Sequence, residues 1–191
     1  MLRLIFCAIA IVLLSQGALA DGILERTLSA ADRNRLSRFD ATLAEALTEA
    51  GAGAADDLAL VQDVLRGKAL PMAGSFNPVG PWRCRVIKLG GLLPLTVYPW
   101  FKCAIAEDGA GWTLEKLTGS QRTRGRFYTA SDTRLIYVGA GHVTGESPRN
   151  YGDDPKQDQV AVVERRTDRR ILLLFPAPYF ESKLDILVLE R

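Results

Sequence analysis

The strongest constraint on this fold is a change of hydrophobic period at a stretch rich in proline and glycine, residues 71–81. Before it, apolar residues recur every three or four positions, as on one face of a helix. After it, apolar and polar residues alternate, and turn pairs such as Gly90-Gly91 and Asp108-Gly109 recur at short intervals. We therefore expect an α+β chain, with helices first and a mainly antiparallel sheet after them.

The alternating part predicts eight strands. They cover roughly 82–89, 95–105, 111–117, 122–129, 133–139, 158–166, 169–176 and 183–190. An antiparallel meander has two unpaired edges, and closing the sheet into a barrel removes both. We predict an eight-stranded barrel over 81–191, with a two-layer β-sandwich as the alternative. The gap at 140–157 predicts an exposed loop that contains His142.

The N-terminal part predicts two amphipathic α-helices. Ser29 provides an N-cap, and apolar residues follow it at helical spacing, which predicts a helix over 29–50. A shorter helix starts at Asp56 or Asp57 and ends at Gly67. Amphipathic helices need a surface on which to pack, and the predicted barrel supplies one.

The first twenty residues have the three-part pattern of a secretory signal peptide. Arg3 precedes a short apolar run, and Ala18-Leu19-Ala20 is a small-x-small cleavage site. The run is too short to span a bilayer. We expect residues 1–20 to be removed, 21–80 to form the helical segment and linker, and the mature protein to be periplasmic or secreted without a transmembrane anchor.

Two cysteines, Cys84 and Cys103, follow the signal peptide. In an exported chain such a pair predicts a disulfide, which stabilises the fold by ~3 kcal/mol on the chain-entropy model. If the cysteines lie opposite each other on the first two strands, the hairpin centres near Leu93-Pro94. A redox or metal role fits less well, because the spacing is not C-x-x-C and His142 is the single histidine of the chain.

Arg122, Arg124 and Arg126 are the most suggestive candidate ligand-binding residues. Period-two spacing puts all three on one face of a strand, and Lys116 on the preceding strand can join them. Such a row favours a carboxylate, phosphate or sulfate. The alternative is that the arginines face solvent. The inward residues would then be Gln121, Thr123, Gly125 and Phe127.

Strand one and its neighbours carry two further patterns. Arg83, Arg85 and Ile87 share one face of strand one, and the other face carries Trp82, Cys84, Val86 and Lys88. An aromatic group either lines a pocket or packs in the core. Its members are Tyr98, Trp100, Phe101 and Trp112.

The sequence lacks the patterns that carry common catalytic chemistry. It has no G-x-S-x-G, no H-E-x-x-H, no phosphate-binding loop and no dinucleotide fingerprint. We therefore expect no cofactor, no metal and no enzymatic activity. Its 24 basic and 22 acidic side chains nearly balance, at a net charge of +2, which gives no reason to expect nucleic acid as a partner.

Gly80-Pro81-Trp82, at the start of the first strand, resembles the G-x-W motif of the calycin superfamily, which includes lipocalins, avidins and small bacterial metalloprotease inhibitors. The resemblance implies that Trp82 packs across the closed end of the barrel. A basic side chain from the last strand, Lys183 or Arg191, would cover it. The inhibitors also carry one disulfide near the start of the barrel. They bind through a short N-terminal trunk, whereas this chain has a helical segment there.

Longer stretches resemble a family of small exported proteins of Gram-negative bacteria that is described only as a domain of unknown function. The resemblance spans most of the mature chain and implies export, but it implies no activity. The stretches that carry it are Trp82 to Gly90, Glu115 to Arg126, Phe175 to Pro178 and Leu184 to Leu189.

These observations together predict a non-enzymatic binding protein of the periplasm. Its target is a small anionic or amphipathic ligand in the mouth of the barrel, or a protein of the cell envelope that the loops contact. The alternatives are a periplasmic protease inhibitor and a structural or assembly factor of the envelope.

Overall fold

A computed structural model describes residues 18–72 and 74–191. Residues 1–17 of the predicted signal peptide lie outside the described residues. The described helices are α1 (Ala18–Thr27), α2 (Ala30–Ser37), α3 (Phe39–Ala50) and α4 (Ala55–Leu65). The described strands are β1 (Gly80–Leu89), β2 (Leu95–Val97), β3 (Phe101–Glu107), β4 (Trp112–Lys116), β5 (Gln121–Thr129), β6 (Arg134–Val143), β7 (Asp158–Thr167), β8 (Arg170–Pro176) and β9 (Leu184–Glu190).

The described N-terminal segment has four short helices, where the sequence predicted two. The predicted helix over 29–50 is divided at Arg38 into α2 and α3. Ser29 caps α2 as expected, since its Oγ accepts a backbone N–H at 3.1 Å. Ser37 donates its hydroxyl to the carbonyl of Asn34 at 2.9 Å, a local bond that competes with the helix and favours the break. Among the described residues, no helix has the length and apolar content needed to cross a bilayer.

The strands form one antiparallel sheet that closes on itself, because β1 pairs with β9. The pairing runs from Arg83 opposite Glu190 to Leu89 opposite Leu184. β2 and β3 pair one after the other with the second edge of β1, so together they fill one position in the barrel. The predicted eight-stranded antiparallel barrel is confirmed, and the sandwich alternative is wrong.

The predicted strand over 95–105 is interrupted at Pro99, which separates β2 from β3. Proline has no N–H for the ladder and is tolerated where pairing is broken. Between the Cys84–Phe101 and Ile87–Val97 pairs, β1 has two residues and the opposing chain has three. The extra residue is a β-bulge, which shifts the pairing of β3 with β1 by one residue relative to the pairing of β2 with β1.

The predicted disulfide between Cys84 and Cys103 is present and joins neighbouring strands. The two cysteines are diagonal rather than opposite, since Cys84 pairs with Phe101 and Cys103 with Trp82. The Cα atoms lie 5.9 Å apart, within the usual range for a disulfide. The predicted register, with the two cysteines opposite each other, is therefore wrong by two residues on the second strand.

The apolar residues of the barrel form two layers. Inside the barrel, side chains from alternate positions pack around Tyr137, Leu114 and the disulfide. Outside it, the described helices cover β1 and β6 to β9, with Ala46 of α3 and Val61 of α4 in the contact layer. Strands β8 and β9 are therefore buried on both faces, which explains why their sequences are nearly continuous apolar runs.

β6 extends to Val143, so the predicted loop at 140–157 starts four residues too early. His142, expected in the loop, lies in the strand and is only 5% exposed. Gly139 pairs with Gly125 of β5, and a Cβ on either glycine would lie within 2.7 Å of the Cα of the other. These glycines permit a close approach of two strands and do not form a turn.

Candidate functional site

One end of the barrel, here called the closed end, is filled. Trp82 is buried there, and its Nε1 donates to the carbonyl of Pro78 at 2.7 Å. Met72 and Phe76 of the linker pack into the same cluster. The guanidinium of Arg191, the residue after β9, lies 4.4 Å from the Trp82 ring centre. The linker and Arg191 thus cover this end.

Of the two basic residues that the calycin resemblance proposes for Trp82, Arg191 occupies that place. Its Nη2 also donates to the carbonyl of Asn77 at 2.7 Å. Lys183 lies at the other end of β9, where its Nζ pairs with Glu49 of α3 at 2.7 Å. The two residues therefore differ in role, since one covers the barrel and the other ties a helix to it.

The opposite end, here called the open end, holds a cavity of about 810 Å³. Cavities of this size are typical of small-molecule sites. The inward side chains that line it come from β1, β3, β4, β5, β7, β8 and β9. They include Lys88, Phe101, Lys116, Thr123, Gln159, Phe175 and Asp185.

Two side chains of the inner wall, Thr123 and Gln159, belong to a short hydrogen-bonded chain. Thr123 donates its hydroxyl to Oε1 of Gln159 at 2.6 Å, and its Oγ1 lies 2.6 Å from the Tyr137 hydroxyl. A threonine hydroxyl has one proton, so Tyr137 is the donor to Thr123. Burial raises the pKa of Tyr137, which keeps it a neutral donor. Gln159 thus accepts through its amide oxygen and lines the cavity.

Lys88, on the β1 side of the cavity, is already paired. Its Nζ lies 3.0 Å from Asp185 and 3.3 Å from Glu181. Burial alone would lower the pKa of Lys88, but the two carboxylates outweigh it and raise that pKa. Lys88 is therefore a charge-neutralised part of the wall.

Lys116, on the β4 side, has a different environment. The residue is 5% exposed, and its Nζ donates to the carbonyl of Gln121 at 2.5 Å and lies 4.0 Å from the centre of the Phe101 ring. In the described part of the chain it forms no ion pair with a carboxylate, and the charged groups that act on it are Arg122 and Lys88. Burial and these two cations lower the pKa of Lys116 to about 8.

The rim of the cavity is apolar. Leu92, in the turn between β1 and β2, is 79% exposed, and Phe180, in the loop between β8 and β9, is 54% exposed. Both line the cavity. The backbone N–H of Leu92 donates to the carbonyl of Glu181 at 2.8 Å, which joins the two loops. A polar interior with an exposed apolar rim suits a ligand that has both characters.

The loop before β7 is tied to α2 beside the cavity. The buried carboxylate of Asp32 accepts hydrogen bonds from the Tyr151 hydroxyl and from Nε of Arg35 at 2.9 Å. Arg35 also donates to the backbone carbonyl of Asp158 at 3.0 Å. Because Arg35 and Asp158 line the cavity, this contact makes α2 part of its wall.

The predicted arginine row lies on the outer face of β5, since Thr123 and Phe127 are the inward residues. Arg126 forms an ion pair with Asp108, and Arg124 is exposed. Arg122 donates from Nε to the carbonyl of Gly119 at 3.2 Å and lines the cavity. The structure thus places Lys116 and Arg122 at the cavity and separates Arg124 and Arg126 from it. Ligand binding by these four residues stays a prediction.

The predicted aromatic group is divided among three places. Tyr98 and Phe101 line the cavity. Trp112 packs edge-on against Phe76 at the closed end, with ring centres 6.5 Å apart. Trp100 lies on the outer surface, with its ring centre 4.1 Å from Cζ of the Arg85 guanidinium.

Sequence reasoning missed Lys88, Asp185 and Gln159 as cavity residues. The signal for Lys88 was present, because it shares a strand face with Trp82 and Cys84, which belong to the barrel interior. The cavity position of Asp185 and Gln159 depends on how far each strand extends beyond the packed layer. That distance is set by the barrel and not by the alternation alone.

Fold and cavity together define a closed eight-stranded antiparallel barrel with one filled end, one open end and helices on its outer face. The chain belongs to the family described as "Domain of unknown function (DUF4893)", whose model matches residues 25–189. The predicted resemblance to such a family is confirmed. A search of the curated proteins finds no match. The matched residues include the cavity and Trp82 of the closed end.

Proposed function

We propose that this protein binds a small amphipathic anion in the open end of the barrel, without transforming it. The anionic head lies at Lys116, and the apolar tail lies along the rim that includes Leu92 and Phe180. The single observation that carries the proposal is the environment of Lys116, a buried ammonium group in a cavity with no acid beside it in the described residues.

A buried ammonium group without a counter-charge is costly, by several kcal/mol in a protein interior. It has three N–H donors, and the described residues supply Nζ with one acceptor, the carbonyl of Gln121. An anionic oxygen in the cavity would accept the remaining donors and neutralise the charge. Charge-assisted hydrogen bonds of this kind contribute about 1.5–3 kcal/mol each.

Lys88 supports the choice of Lys116 by contrast. Its two carboxylate partners already neutralise it, so an incoming anion would meet Asp185 and Glu181 as well as the ammonium group. Repulsion from these acids directs the anion toward Lys116 and Arg122.

The rim supports an apolar tail. Large apolar side chains that stay exposed around a cavity are typical of ligand-binding and interaction sites. Leu92, Tyr98 and Phe180 line the cavity, and Phe101 and Phe175 continue the apolar surface inward. The expected ligand class is therefore a medium-chain carboxylate or an alkyl phosphate.

Titration calorimetry at pH 7 tests this proposal with decanoate, decyl phosphate and the uncharged analogue decanol. We expect both anions to bind with one site per protein and decanol to bind at least tenfold more weakly. Lys116→Met is expected to weaken decanoate binding ~30-fold, because one charge-assisted contact is lost. Lys102→Met removes a lysine from the exposed face of the adjacent strand β3 and is the matched control.

Equal affinity for decanol and decanoate, or unchanged decanoate binding by a folded Lys116→Met variant, would contradict the proposal. The protease-inhibitor and assembly-factor alternatives stay predictions. Stoichiometric inhibition of a metalloprotease by the purified protein, with no binding of any of the three ligands, would favour the inhibitor.

We also propose that the protein works outside the cytoplasm after removal of residues 1–20. The disulfide supports an oxidising compartment, and the sequence of residues 1–20 has the pattern of an exported chain. Mass spectrometry of protein recovered from the periplasm of a Gram-negative host should give an N-terminus at Asp21. Recovery of the full-length chain in the cytoplasm alone would contradict this.

A further inference from the structure

We infer that Lys116 forms a reversible covalent adduct with apolar aldehydes, in which its amine condenses with the carbonyl group to give an imine. This goes beyond anion binding, because it requires a nucleophilic nitrogen and not a positive charge. It uses the same cavity, but neither property requires the other.

The geometry gives the amine a protected and accessible position. Lys116 is buried and lines a cavity that opens to solvent. Its Nζ is fixed between the carbonyl of Gln121 and the ring of Phe101. A ligand with an apolar tail along the rim would bring its terminal carbonyl carbon toward this nitrogen, which raises the effective concentration of the two reactants.

The charged groups that face Lys116 favour its neutral form. They are Arg122 on β5 and Lys88 on β1, and burial acts in the same direction. With a pKa of about 8, about one fifth of Lys116 is neutral at pH 7.4, against about one in a thousand for an ordinary lysine. A neutral amine is the reactive species in this chemistry.

The reaction balances without an oxidant or a reductant. The nitrogen lone pair attacks the carbonyl carbon, the C=O π electrons move to oxygen, and a proton passes from nitrogen to oxygen to give a carbinolamine. The C–O bond then breaks as the oxygen leaves as water and the C=N bond forms. Hydrolysis reverses the sequence. The open cavity lets bulk water supply and accept the protons.

Lys88 is the internal control, because it lies in the same cavity and differs in its partners. Asp185 and Glu181 hold its ammonium group charged. Lys102 on the outer surface of β3 is the external control. Only a lysine with the environment of Lys116 should react rapidly near neutral pH.

The test incubates the folded wild-type protein with decanal and cyanoborohydride at pH 7.4 and maps the decylated lysines by peptide mass spectrometry. We expect Lys116 to be alkylated at least tenfold faster than Lys88 and Lys102, with saturation in decanal. Lys116→Arg keeps the positive charge but lacks the amine, and should abolish the fast reaction.

Alkylation of Lys116 at the rate of Lys102, or preferential alkylation of Lys88, would overturn the inference. The two proposals fail separately. Loss of decanoate binding with fast alkylation of Lys116 would contradict anion binding alone, whereas decanoate binding with slow alkylation would contradict the imine alone.

Discussion

The two ends of this barrel are built from the same strands but differ in how completely their side chains are packed and paired with polar partners. At the closed end, the Trp82 indole N–H has its acceptor and Arg191 covers the ring. At the open end, Lys116 is buried without an acid in the described residues, and Leu92 and Phe180 stay exposed. Groups that are fully packed contribute to stability, whereas groups left unsatisfied are where a ligand can contribute.

This comparison predicts that substitutions at the closed end change the free energy of unfolding, and that substitutions at the open end change binding. The largest expected effect is that of Trp82→Ala. Removing a fully packed tryptophan should lower the free energy of unfolding by ~4 kcal/mol, measured by urea denaturation. Leu92→Ala, at the exposed rim, is the control and should change it little. Equal losses in the two variants would remove the distinction between the ends.

The next effect is that of the disulfide beside Trp82. Replacing both Cys84 and Cys103 by serine should lower the free energy of unfolding by ~3 kcal/mol, because the unfolded chain regains conformational freedom. Reduction of the wild-type protein should give a similar loss in the same urea experiment. If reductant still lowers the urea midpoint of the double-serine variant, the stability lost on reduction has a cause other than this disulfide.

The pH dependence of the free energy of unfolding should show that the pKa of Lys116 is lowered in the folded protein. Its pKa is lower in the folded state than in the unfolded chain, so between about pH 8 and about pH 10 the folded protein releases this proton first. The unfolded state then binds more protons, and stability rises with pH, by ~2 kcal/mol from this group.

Lys116→Met removes this rise. The difference in free energy of unfolding between wild type and Lys116→Met, measured at both pH values, isolates this group because other titrations cancel. If this difference does not change with pH, the pKa of Lys116 is not lowered in the folded state, and the prediction is contradicted.

The smallest effect separates the two basic residues at the ends of β9. Arg191→Met should lower the free energy of unfolding by ~1 kcal/mol, since it loses the contact with the Trp82 ring and the bond to Asn77. Lys183→Met loses an exposed ion pair with Glu49 and should have no measurable effect. The reverse order would mean that Lys183 has the structural role.

The barrel was predictable because its cause is local. Alternation places every second residue inward, and Trp82, Cys84 and Val86 obey this pattern. Details of pairing were not predictable, because the bulge at Pro99 and the diagonal disulfide depend on how one strand meets another. The break at Arg38 was not predicted, because its local cause is weak and no stronger signal in the sequence opposes one continuous helix.

The cavity was predictable only in part. Of the residues that the alternative turned inward, Thr123 and Phe127 are buried in the structure, but spacing alone did not favour this alternative over an arginine site. Lys116 was named for its charge and not for its burial. Among the described residues no acid pairs with Lys116, and this environment arises from the neighbouring strands together, so no local sequence pattern predicts it.

The most direct measurement of the central claim is the pH dependence of decanoate affinity. If the charged form of Lys116 holds the head group, the dissociation constant should rise ~15-fold between about pH 7 and about pH 9.5, because the free amine loses its proton around pH 8 and the affinity then approaches that of Lys116→Met. Lys116→Arg should bind decanoate with little change over the same range. A wild-type affinity that stays constant across this range would contradict the account.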